Sequence, residues 1–146
     1  MLVKRKLEFK PLRMLCEFAW ILTVVVILKI TGIIGGDFGT TSIFDGNVQF
    51  SFDFFKEGLS TAALLNLILF IPFGFFSAIV FKKLRDKWIY GILIGIISSV
   101  TIEFLQIFTG RFVELEDVLM NTIGTFIGYT IWFLLSEIKQ RKKKTK

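Results

Sequence analysis

Apolar residues come in four runs of about 20, the length of helix that crosses a bilayer core. They cover 14–34, 61–81, 88–108 and 117–135. The pattern predicts an all-α integral membrane protein, a bundle of four transmembrane helices forming one domain over 1–146, with a basic tail at 136–146. A basic segment precedes the first run, as in a signal peptide. No small-residue cleavage site follows it, and the run is long for a signal, so it reads as a retained span. Between the first two spans lies the Phe-rich stretch GGDFGTTSIFDGNVQFSFDFFKEG. From Asn47 to Phe54 it alternates polar and apolar positions, which fits a short strand with one greasy face or a segment lying in the interface. It is expected either to pack on the helices as a lid or to offer an apolar surface to an acyl chain.

Composition agrees with the membrane class: 53% of residues are hydrophobic, 16% are aromatic, and mean hydropathy is +0.68. One cysteine, Cys16, excludes an internal disulfide. The absence of histidine removes the commonest general acid/base and the commonest transition-metal ligand. No cofactor is expected. The net charge of +6 is distributed as lipid, not nucleic acid, would require. Fifteen basic residues lie in the N-terminal segment, the 82–87 loop and the tail, against two, Lys56 and Arg111, in the other connections. The bias predicts both termini on the cytoplasmic side, with 35–60 and 109–116 outside. Trp20, Trp88 and Trp132 then fall towards the cytoplasmic half. The tail KQRKKKTK serves as a topology anchor on anionic lipid.

The polar residues inside the spans carry the functional signal. With 1.5 Å of rise per residue, Asn66 of the second span and Glu103 of the third lie at similar depths below the outer surface. Gln106 is nearer that surface, Arg111 is in the short connection, and Asp117 and Asn121 open the fourth span. Ser99, Glu103 and Gln106 share one helix face, as do Asp117, Asn121, Gly124 and Gly128. The Gly124–Gly128 and Gly91–Gly95 pairs read as packing devices. Pro72 removes a backbone hydrogen bond within the second span and predicts a kink there. A charge within a span costs roughly 2.5–3.5 kcal/mol on insertion scales and is usually paired. For Glu103 the nearest partner in sequence is Arg111, folded back by a left-handed Gly110, with Gln106 and Asn121 bonding the remaining oxygens. Such a network could fix helix register, bind a ligand, or do both.

At these residues the chain resembles the VanZ family. The resemblance rests on NLILFIPFGF at 66–75, IEFLQ at 102–106 and GRFVELEDVLMNTIGTFIGY at 110–129. Two features depart from the family pattern. The chain reads Glu114-Leu115-Glu116-Asp117 where the family often has Asp-Ile-Asp-Asp, and an Asn-x-x-Pro-Phe motif of the first outer loop is missing. The resemblance implies a multi-pass protein of the bacterial cell membrane. It implies a role in resistance to glycopeptides with a lipid tail, of the teicoplanin type, or in envelope biology more broadly. Its motif carries over to Asn66, Glu103, Gln106, Arg111, Asp117 and Asn121 as a ligand-binding set.

Three functions follow. In the first, an outer pocket holds an amphiphile, either an antibiotic tail (a lipoglycopeptide) or a lipid-linked cell-wall precursor, with membrane lipid around it and Arg111 meeting a phosphate or carboxylate. In the second, the protein is an enzyme acting on a lipid-linked envelope substrate, with Glu103 or Asp117 as general base. A divalent metal held by Glu103, Asp117 and Asn121 is disfavoured because Arg111 already supplies positive charge, so no metal is expected. In the third, it is a structural helper of another membrane protein.

Overall fold

A computed structural model describes residues 2–36, 50–51, 60–84, 87–109 and 113–144. Four long helices follow one another: α1 (Leu2–Ile30), α2 (Thr61–Val80), α3 (Ile89–Ile107) and α4 (Leu115–Lys144). Each contains a stretch long and apolar enough to cross a membrane: Pro11–Ile30, Thr61–Val80, Ile89–Ile107 and Leu115–Lys139. Two two-residue strands, β1 (Phe50–Ser51) and β2 (Val113–Glu114), accompany them, as does a 3₁₀ turn at Lys82–Leu84.

The helix bounds follow local chemistry. Ser60 is extended and its hydroxyl accepts from the Ala63 N–H at 3.0 Å, capping α2. Thr31 follows the end of α1, and Gly32 has φ of 78°, a conformation side chains rarely tolerate. The Ile34 N–H then bonds back to the Leu28 carbonyl at 2.9 Å. The first helix therefore stops four residues before the end of its apolar run. Two helices instead extend into basic sequence, α1 back to Leu2 and α4 on to Lys144. Lys, Arg, Glu and Gln are good helix formers, and ion pairs one turn apart accompany both extensions: Arg13–Glu17 at 2.7 Å and Arg141–Glu137 at 3.7 Å. Both pairs are exposed and add little stability. Pro72 does not divide α2, which continues as one helix through it.

Glycines set the packing of α2 against α4. A Cβ at Gly124 would overlap the Leu67 carbonyl oxygen, one at Gly128 the Ile71 carbonyl oxygen, and one at Gly74 the Thr125 carbonyl oxygen. The two backbones thus meet with no side chain between them, as small-residue membrane interfaces allow. On α3, Gly91 lies under the Tyr129 ring and Gly95 against Thr122. Both glycine pairs serve the packing role their spacing predicts. Ile27, Phe70, Phe73 and Ile102 form the apolar core, joining α1, α2 and α3. Trp20 adds a ring stacked on Phe73, and its indole N–H donates to the Ser77 hydroxyl at 2.9 Å. The outward positions of α1 are apolar and exposed, including Leu15, Phe18, Leu22 and Val25, as a lipid-facing surface requires.

β1 and β2 pair in parallel, Phe50 opposite Val113 and Ser51 opposite Glu114. The alternation over 47–54 fits a short strand or an interfacial segment, and Phe50 and Ser51 form a strand. The rest of that segment lies outside the described residues. The pairing ties the α1–α2 connection to the start of α4, at the end of the bundle where the intramembrane polar residues gather.

Candidate functional site

Where α1 and α3 end and α2 and α4 begin, the helices enclose a cavity of about 240 Å³. Its polar lining is Thr31, Asn66, Glu103, Gln106, Glu114, Asp117 and Asn121, and its apolar lining is Ile30, Ala62, Leu65 and Ile102. Five of the six residues singled out from sequence, Asn66, Glu103, Gln106, Asp117 and Asn121, therefore share one cavity. Arg111 and Gly110 lie outside the described residues, and with them the expected Arg111–Glu103 pair.

Helical periodicity explains the convergence. Ser99, Glu103 and Gln106 recur at four and three residues on α3, and all three are buried. Asn121 on α4 is 1% exposed and Asp117 lies one turn earlier at the helix start. Asn66, in the second turn of α2, supplies the third wall.

The hydrogen bonds differ from those expected. Glu103, 4% exposed, accepts from the backbone N–H of Glu114 at 3.0 Å. That bond fastens the middle of the buried α3 face to β2, where α4 begins. Gln106 does not bond Glu103. Its amide donates to the backbone carbonyl of Thr31 at 3.1 Å, linking α3 to the end of α1. Asn121 likewise turns away, donating to the Ser99 hydroxyl at 2.9 Å. The network therefore joins α1, α3, β2 and α4 through backbone groups as much as through side chains.

Two consequences matter for chemistry. Each amide nitrogen, of Gln106 and of Asn121, makes one hydrogen bond, while Oε1 of Gln106 and Oδ1 of Asn121 are buried with no partner among the described residues. The first of these assignments is fixed by its environment, since a flipped Gln106 would set its oxygen against the Thr31 carbonyl oxygen. Charge is also one-sided. Along the sequence, residues 29–60 and 103–117 hold eight of the 12 carboxylates of the chain but three of its 18 basic side chains. Among the described residues no group of three or more His, Cys, Asp or Glu is placed to hold a metal ion.

Sequence reasoning missed Thr31 and the backbone role of Glu114. The signal for the first was available in Thr31-Gly32, a helix-ending pair that places a backbone carbonyl beside the third span.

Comparison with known proteins bears on the whole chain. A model of the VanZ/LLP1 family matches residues 12–136. Protein VanZ of Enterococcus faecium is 32% identical over 79 residues, which are 53% of this chain and 48% of that protein. The match thus spans about half the length of that relative. No solved structure matches the chain. The family match takes in all the motif residues and nearly all of the four spanning stretches found among the described residues, so the chain is a multi-pass membrane protein and belongs to the VanZ/LLP1 family.

Proposed function

We propose that this protein is a VanZ-like resistance protein of the bacterial cell membrane, which protects by binding an amphiphile at the outer end of its helix bundle. The observation that carries the reading is the cavity: polar side chains from three spans face one space whose remaining wall, Ile30, Leu65 and Ile102, is apolar. A polar head and an acyl chain are the two halves of a ligand that suits such a lining. The distribution of basic residues supports an outward-facing cavity, with both termini cytoplasmic. The ligand set is Asn66, Glu103, Gln106, Asp117 and Asn121, with Arg111 joined to it by its place in the motif. An antibiotic tail and a lipid-linked wall precursor are the two ligand types the family resemblance implies.

An enzyme using Glu103 or Asp117 as general base is the second reading. Burial of Glu103 within a cavity favours it. Against it, one Glu103 oxygen already accepts a backbone hydrogen bond, which suits a positioned structural anion.

The test is antibiotic tolerance in a susceptible Gram-positive host. Expression should raise tolerance to glycopeptides with a lipid tail more than to tailless ones. Each buried methylene contributes about 0.8 kcal/mol, close to fourfold in affinity, until the cavity is full. Equal protection against tailed and tailless drugs would remove the binding reading. In the same assay, Glu103→Gln should leave partial protection; complete loss in a well-folded variant would transfer the argument to catalysis, where removal of a general base costs about 10²–10⁴ in rate.

A further inference from the structure

Among the described residues three carboxamides line the cavity, one from each of three helices: Asn66 of α2, Gln106 of α3 and Asn121 of α4. Each keeps hydrogen-bonding capacity that the fold does not use. Asn66 is half-buried and has no hydrogen-bond partner among the described residues, so its oxygen and its N–H groups are open. Gln106 and Asn121 are buried, and each has an oxygen with no partner among the described residues. A buried acceptor left unbonded is costly, and a donor brought into the cavity relieves that cost. The carboxylates of Glu103 and Asp117 differ in this respect. Both already interact within the protein, Glu103 with the Glu114 N–H among others, so neither waits for a ligand to satisfy it.

Resting on the binding reading above and narrowing it, we infer that the three carboxamides recognise an uncharged, hydroxyl-rich head, a polyol or glycosyl group, carried by a membrane amphiphile. A carboxamide has donors and an acceptor but no charge. It offers an ion of either sign no counter-charge, and an ion buried without one is expensive. A hydroxyl donates and accepts from a single atom. It can therefore donate to the Gln106 or Asn121 oxygen while accepting from the Asn66 N–H, and a second hydroxyl beside it repeats the pairing on another amide. Size agrees with a head of this kind. The cavity, about 240 Å³, is smaller than the roughly 300–1,000 Å³ of pockets that enclose a drug-sized ligand, so a head and its first methylenes fill it. Ile30 and Leu65 line the cavity and are each 56% exposed, which leaves the rest of the tail a path into lipid.

Probes with one dodecyl tail and different heads separate the possibilities: dodecyl glucoside, its tetra-O-methyl derivative, dodecylamine and dodecyl phosphate. Methyl glucoside supplies the same head without the tail. The full chain, carrying Cys16→Ser and Ala62→Cys, is placed in phosphatidylcholine nanodiscs, so that no sugar-headed detergent competes. Ala62 lines the cavity and is exposed, so maleimide labelling of the introduced thiol at neutral pH reports occupancy there. Dodecyl glucoside should protect the thiol at a concentration at least about tenfold lower than its methylated derivative, the gain expected from two or more hydrogen bonds. It should surpass the amine and the phosphate by a similar factor, and methyl glucoside should not protect at that concentration. Asn66→Leu breaks no hydrogen bond of the fold among the described residues and should cut the preference for glucoside over its methylated derivative about fivefold. Gln106→Met should act in the same direction, with thermal melts confirming that both variants are folded. That ratio compares two ligands on one protein, so a general loosening of the bundle does not move it.

Protection by dodecylamine or dodecyl phosphate equal to or better than by the glucoside overturns the inference while leaving an amphiphile-binding cavity intact. Equal protection by the glucoside and its methylated derivative also overturns it, because the tail alone would then bind. Equal protection by methyl glucoside would make the ligand a soluble sugar and overturns the membrane source. An undiminished preference in both folded variants would remove the carboxamides from recognition. If no probe protects the thiol in folded protein, the binding reading itself falls, and this inference with it.

Discussion

Replacing Asn121 with leucine should separate stability from function. Asn121 is 1% exposed, donates to Ser99 at 2.9 Å, and keeps a buried oxygen with no partner among the described residues. Leaving a buried acceptor unsatisfied costs about 1–3 kcal/mol. The single bond to Ser99 returns less, since interhelical side-chain hydrogen bonds in membranes average about 0.6 kcal/mol. Leucine has the same branching as asparagine, and its extra volume can enter the adjoining cavity. The Ser99 hydroxyl, once released, can bond the preceding turn of its own helix. Asn121→Leu should therefore be neutral or more stable by up to about 2 kcal/mol, raising the melting midpoint by a few degrees for a chain of this length. Function should fall even so, because the cavity loses an acceptor and part of its volume. The assay pairs a thermal melt in detergent with tolerance to a lipid-tailed glycopeptide. A variant destabilised by more than about 2 kcal/mol would show that Asn121 is a structural residue. A stable variant with undiminished protection would show that the buried oxygen has no part in binding.

Other consequences are more local. Gly128→Val forces two methyl groups towards the backbone of α2 at Ile71 and Phe75, and overpacking of this kind costs about 1–3 kcal/mol; a melting midpoint equal to that of the unaltered protein would refute the close contact. Trp20→Phe removes the hydrogen bond to fully buried Ser77 and should cost about 1 kcal/mol by the same melt; an unchanged midpoint would mean that the bond contributes nothing. Topology can be read with single cysteines in a Cys16→Ser background: Thr41→Cys and Thr109→Cys should react with an impermeant thiol reagent in intact cells, Lys83→Cys and Lys142→Cys should not, and the reverse pattern would turn the cavity inward.

The spans and the polar cluster were legible in the sequence for one reason. Polar groups are expensive in a bilayer, so the depth and helical face of Asn66, Glu103, Gln106, Asp117 and Asn121 carry information that similar residues on a soluble surface would not. The glycine spacing was legible for a related reason, because close backbone approach leaves no alternative residue. The partners of these groups were harder to read. Glu103 bonds the Glu114 backbone and Gln106 bonds the Thr31 carbonyl, and every residue has these backbone groups, so no side-chain pattern announces them. Side-chain logic supplied plausible partners in Arg111, Gln106 and Asn121, and the latter two proved to be engaged elsewhere. The parallel pairing of β1 with β2 was also hidden. Val113–Glu114 is too short for a periodicity of its own, and the pairing joins segments more than 60 residues apart. The helix ends of α1 and α4 do not coincide with the ends of their apolar runs. Charged helix formers continue a helix beyond the bilayer, and Gly32 stops one within an apolar run.

The central claim is that the cavity holds an amphiphile. The most direct measurement is an experimental structure of the full chain purified with its native lipid. The account predicts elongated density entering between Ile30 and Leu65, with its polar end beside Glu103, Gln106 and Asn121. A cavity filled by side chains of the protein itself, or one holding only water with native lipid bound elsewhere, would contradict it.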